Sequence, residues 1–218
     1  MAMDLVLKAL SATGSLVGLK VSKKGDLFTQ KRIPDYASAV LAGKVIEALD
    51  TTTTVALVAR PTTLASLTLQ NPASSGKIYV VYGLLAYTDV VAATLGTVTV
   101  WHCAHKLAIA ALTRELVLVG TGAGTGNVLK AGVSSYGGQA IIARGETVVD
   151  DGWTPTPLTV VSNIATTNFQ SNAAGLIVPV VIPPSFHYSL QTTATVVTFE
   201  TALGFIWGEF DEDELTEA

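Results

Sequence analysis

Charge is what this 218-residue chain has least of: only 14% of its residues are Asp, Glu, Lys or Arg, against about 25% in an average soluble protein. With 49% hydrophobic residues and a mean hydropathy of +0.48, an ordinary well-solvated monomer is not expected. The single cysteine, Cys103, excludes an internal disulfide and reads as an apolar thiol. Long apolar runs are also missing. Ile78 to Ala86 and Leu176 to Ile182 fall short of the ~18 to 20 residues that span a bilayer, so no transmembrane helix is expected. The amino terminus lacks the basic start, apolar stretch and small-residue cleavage site of a secretory signal, so export by the general pathway is not indicated.

What is abundant is β-branched. The chain holds 28 Thr and 26 Val, about a quarter of its residues, and these types favour pleated, half-buried strands. An all-helical fold is excluded. The length suits one domain, or one domain with a long arm. Charge then divides the chain into three segments. Residues 1–50 are mildly basic at +2, residues 51–208 carry 12 charges with a net of zero, and residues 209–218 hold −6. This predicts an amino-terminal arm, a sparsely charged body and an acidic tail.

Strand patterns recur through the body, separated by turn residues. From Leu64 to Asn71, Ala65, Leu67 and Leu69 alternate with Ser66, Thr68 and Gln70, the pattern of a sheet with one solvated side. Lys77 to Tyr87 is apolar on both faces, which predicts a central, doubly covered strand. Phe186, Tyr188 and Leu190 alternate with polar residues directly after the Pro183-Pro184 breaker, and Val197, Phe199, Leu203, Phe205 and Trp207 mark a last core strand. Shorter strands are expected near 54–60, 97–103, 115–119, 139–143 and 176–182. Irregularly connected strands of this number suit a two-sheet sandwich. In the arm, Asp35 after Pro34 can cap a helix over 36–49 that gathers Val40, Leu41, Val45, Ala48 and Leu49 on one side. A second helix over 104–113 is ambiguous with strand.

Each candidate for chemistry has a simpler reading. His102-Cys103-Ala104-His105 offers zinc-type ligands, but on a strand His102 and Cys103 point to opposite faces, and the only other histidine is His187. The pattern G-x-S-x-G of a hydrolase nucleophile is absent. Asp150-Asp151-Gly152-Trp153 sets two acids beside an aromatic, as a sugar or calcium site would, although adjacent acids before Gly more often make a turn. The Gly-rich run 120–127 matches neither dinucleotide nor Walker patterns and reads as a loop. Lys20, Lys23, Lys24, Lys31 and Arg32 form a modest basic group. With a pI near 5.3 and few aromatics nearby, they fit a protein neighbour better than nucleic acid. Their natural complement is Asp211, Glu212, Asp213 and Glu214 on another copy. No cofactor, catalytic residue or metal ligand is expected.

Three phrases carry a resemblance: the strand at 76–82, Gly-Lys-Ile-Tyr-Val-Val-Tyr, the proline-led stretch Ile182 to Leu190, and the closing Phe199 to Glu209. Over residues 50–210 they resemble virion proteins of tailed bacteriophages, of the jelly-roll capsid decoration, head-fibre and tail-adaptor kinds. The resemblance implies an all-β, jelly-roll-like sandwich with an extended amino-terminal arm and room for one helix. It also implies a non-enzymatic structural role in the virion, made in the host cytoplasm. Its partners would be copies of itself in a trimer or higher ring and other virion proteins such as the capsid shell, with no direct nucleic-acid or membrane contact. The alternative is a carbohydrate-binding host-recognition module using exposed aromatics, Trp153 first, beside Asp150 and Asp151.

Overall fold

The computed structural model describes residues 8–10, 16–18, 36–50, 54–90, 96–104, 126–128, 138–147, 152–162, 171–195 and 200–215. The chain forms two compact units, Pro34–Glu212 and a smaller one that joins Met1–Ile33 to Asp213–Ala218. In the smaller unit β1 (Lys8–Leu10) and β2 (Leu16–Gly18) pair antiparallel. That unit takes in both chain ends, and by sequence it carries the basic positions 20–32 together with the acids Asp213, Glu214 and Glu217. Residues 36–50 and 209–212 belong to the larger unit.

The expected helix over 36–49 is cut in two. Only α1 (Tyr36–Leu41) is helical, and β3 (Val45–Leu49) is a strand. The stop is Gly43 at φ 74°, whose N–H donates to Val40 O while Lys44 N–H donates to Ala39 O, at 2.9 and 3.0 Å. This paired capping by a left-handed residue closes the helix. Beyond it, Ile46 and Ala48 alternate into the core at the two-residue period of a strand, and Val45 is buried on the opposite face.

The remaining strands are β4 (Thr54–Val55), β5 (Leu67–Gln70), β6 (Ile78–Val90), β7 (Gly96–Ala104), β8 (Gly126–Val128), β9 (Ile141–Arg144), β10 (Thr154–Ser162), β11 (Ser171–Ile182), β12 (His187–Ala194) and β13 (Glu200–Phe210). They build a five-stranded sheet ordered β10-β7-β12-β5-β9 and a six-stranded sheet ordered β11-β6-β13-β3-β8, with β4 alongside β13. Every ladder is antiparallel. The pairs β3·β13, β5·β12, β6·β11 and β7·β10 are nested in sequence and alternate between the two sheets. A long antiparallel ribbon wound across two layers has this connectivity, so the body is a jelly-roll-like β-sandwich. The expected strand at 115–119 lies outside the described residues, as does all of the ambiguous 104–113 segment beyond Ala104.

The core fills the space between the sheets. Tyr79, Val81, Leu84, Ile46, Leu203, Phe205 and Trp207 of the six-stranded sheet meet Leu67, Leu69, Val100, Ile142, Tyr188 and Leu190 of the other, all at 4% exposure or less. Tyr188 and Phe205 tilt together across the gap, ring centres 6.0 Å apart. β6 is central, as its sequence predicts, and Val80, Tyr82 and Leu85 are buried on its outer face too. Part of the outer cover is α1, which buries Ala39 and lays Tyr36 edge-on against Tyr82 at 5.5 Å. Gly208 leaves room for the Phe210 ring, which would lie 2.6 Å from a Cβ at that position.

One reading is overturned. Ser66, Thr68 and Gln70 do not face solvent; all three are buried. Their polarity is absorbed across the ladder to β12. Ser66 Oγ donates to Gln191 Oε1, and Thr68 and Ser189 share a hydrogen bond of 2.8 Å. Alternation reported two chemically different faces correctly, but a polar face satisfied by side-chain partners can be sealed as fully as an apolar one.

The β11-to-β12 corner stores strain. Pro183 O accepts from Phe186 N–H at 3.2 Å, and Ser185 in this turn has φ 74°, a left-handed value that suits Gly or Asn better than Ser. Replacing Ser185 with Gly is expected to raise stability by about 0.5 kcal/mol, read as a higher thermal midpoint.

Candidate interaction surfaces

Of the residues singled out in the sequence, Lys20, Lys23, Lys24, Lys31, Arg32, Asp150 and Asp151 lie outside the described set, and Trp153, Asp211, Glu212 and Glu214 are placed. Trp153 is not the exposed platform that sugar binding requires. Only 4% of it is accessible, it packs with Ala65, Cys103 and Trp101, and its indole N–H donates to Thr62 O at 2.8 Å. Arg60 adds a long hydrogen bond, 3.5 Å, to the Trp153 carbonyl. A tryptophan whose faces and N–H are both committed acts as an anchor for the 60–65 loop.

His102 and Cys103 part to opposite faces of β7, as expected of adjacent strand residues. His102 Nδ1 meets the Tyr188 hydroxyl at 2.9 Å at the margin of the core, while Cys103 is buried under Trp153. Burial lowers the His102 pKa and, with a smaller contribution from Cys103, raises that of Tyr188. The folded state therefore resists protonating His102, and this pair loses stability as pH falls through the ordinary imidazole range. Among the described residues no group of three or more His, Cys, Asp or Glu could hold a metal ion. No described helix is long and apolar enough to cross a membrane.

The acidic stretch divides. Asp211 belongs to the body: Lys77 Nζ lies 2.7 and 2.8 Å from its two carboxylate oxygens. That hydrogen bond, aided by the charges of Lys77 and Lys44, holds the Asp211 carboxyl below its ordinary range. Glu212 and Glu214 are exposed beyond it. The expected partner of Asp211 on another copy is thus replaced, in this chain, by Lys77. Sequence reasoning missed this pairing because it depends on the register of β13 against β6, where Phe210 stands opposite Ile78.

A second ion pair was equally invisible. Asp50, just after β3 in the six-stranded sheet, receives Arg144 Nε and Nη2, both at 2.5 Å, from the end of β9 in the five-stranded sheet. The Asp50 side chain is 3% exposed and that of Arg144 30%. The pair bridges the two layers.

What the described surface offers in place of charge is apolar. Tyr36, Leu41, Val55, Val58, Leu64 and Val181 are all exposed, with Leu41 at 72% and Val58 at 67%. Helix α1 carries no charged side chain at all. No family model, curated protein or solved structure matches this chain.

Proposed function

We propose that this chain is a structural subunit of a bacteriophage particle, acting by subunit–subunit binding without catalysis. The observation that supports it best is how little charge the body leaves for solvent. Twelve charged residues are spread over positions 51–208, and of the six basic ones Arg144 is turned onto buried Asp50 while Lys77 is engaged by Asp211. In an average soluble protein about 25% of residues are charged. A surface this neutral, carrying exposed Leu41, Val55, Val58 and Leu64, is suited to closure against symmetric neighbours. The particle itself is suggested by the resemblance at 76–82, 182–190 and 199–209.

In this reading the sandwich packs as a trimer or higher ring, and residues 1–33 form the arm that docks on neighbours or the shell. Lys20, Lys23, Lys24, Lys31 and Arg32 meet acidic residues there, with Glu212, Asp213 and Glu214 the complementary set once Asp211 is assigned to Lys77. Many copies on one particle then add avidity. The test is the native mass of the full chain by light scattering across a dilution series, beside a variant lacking residues 1–33. A stable oligomer that loses subunits without the arm is the expected result; a monomer at every concentration overturns the proposal.

A further inference from the structure

We infer that the Lys77–Asp211 pair is a charge-operated clamp on the open end of the β13·β6 ladder, where the last strand leaves the sandwich. Asp211 is the next-to-last residue of the larger unit. The β13·β6 ladder ends one residue earlier, at Phe210 opposite Ile78. Past that point the last register pair is followed by a side-chain pair, Lys77 on Asp211.

The chemistry around the clamp is arranged to respond to solvent. The Lys77 and Asp211 side chains are 39% and 47% exposed, and both carboxylate oxygens are engaged, at 2.7 and 2.8 Å. Lys44, at the start of β3, adds a second positive charge toward Asp211 and sets its Nζ 5.8 Å above the Phe210 ring. Glu209 N–H donates to Lys44 O at 3.1 Å, which seats Lys44 beside the strand that leads to the acid. The Asp50–Arg144 pair shows the contrast. Its carboxylate is 3% exposed, so dissolved salt screens it much less than the Lys77–Asp211 pair. One pair is a largely buried staple, and the other is left in solvent at the end of a ladder.

The inference stands whether or not the assembly reading does, because its readout is local. Hydrogen exchange is measured on the full chain at residues 209–215, at low salt and at about 0.5 M NaCl, where the screening length is ~4 Å. Asp211→Asn and Lys77→Met are each expected to speed exchange there about threefold, leaving exchange in β5 and β12 unchanged. Added salt should do the same in the wild type and little in either variant. Asp211→Glu, which keeps the negative charge toward Lys77 and Lys44, is expected to retain most of the protection. Exchange at 209–215 that is indifferent to these substitutions and to salt, or that changes equally throughout the sandwich, overturns the clamp.

Discussion

Replacing Arg144 with methionine is expected to destabilise the protein by about 3 kcal/mol, the largest effect of any single change on a charged residue here. The substitution keeps the aliphatic length but strands the Asp50 carboxylate, 3% exposed, at the seam between the sheets. Removing one partner of a buried pair costs roughly 3–5 kcal/mol because the remaining charge stays desolvated. The lower end applies here because Arg144 itself is 30% exposed. Asp50→Leu combined with Arg144→Met removes the stranded charge and is expected to recover most of the loss. Urea unfolding of the wild type and both variants checks this. A single variant within 1 kcal/mol of wild type, on the order of an exposed pair, would show that the bridge is not a staple.

Asn71 is the second such point, and no charge is involved. Wholly buried, it ties four segments at one end of the sandwich. Its Nδ2 donates to Lys77 O at 2.8 Å and to Ile182 O at 2.9 Å, and its Oδ1 accepts from Ser75 Oγ at 2.5 Å. Its backbone N–H donates to Phe186 O and its carbonyl accepts from Ser185 N–H. Two of the corners that carry the chain between layers, β5 to β6 and β11 to β12, are thereby fixed to each other. Asn71→Ala removes both Nδ2 donors and the acceptor of Ser75 Oγ at a buried position, where an unmatched polar group costs roughly 1–3 kcal/mol, and a loss of about 3 kcal/mol is expected. Asn71→Asp is nearly isosteric but replaces both donors by acceptors, and is expected to cost at least as much as alanine. Thermal unfolding distinguishes these outcomes; an aspartate variant of wild-type stability would remove the donor role.

Much of the fold was legible because strand chemistry is local. The doubly apolar β6, the strand after Pro183-Pro184 and the closing core strand were all readable from alternation, and β13 runs on to Phe210. The helix over 36–49 failed because β3 is covered on both faces, so that Val45 on one and Ala48 on the other imitate helical spacing, and the decision rested on Gly43 adopting φ 74°. The polar face of β5 was read as wet because its partners, Gln191 and Ser189, are more than a hundred residues away. For the candidate surfaces the gap was wider. Trp153 announced itself as an aromatic beside acids, yet what decides its role is the Thr62 carbonyl that takes its N–H. Asp50, Arg144, Lys77 and Asp211 gave no pattern in the sequence, since ion pairs across ladders are set by register and layer order.

The place of β13 has a consequence for how the protein is made. This strand is the last of the described strands in chain order, yet it lies between β6 and β3 in the middle of its sheet. Until the ribosome has released it, the two strands on either side have no common neighbour, and residues such as Tyr79 and Leu84 lack the Phe205 and Trp207 side of their core. All the strands from β3 to β12 must therefore emerge before the larger sheet can close. A nascent chain that waits with open strand edges is prone to pair with another, so stop codons even a few residues inside β13 should yield insoluble chains in place of shortened, folded ones.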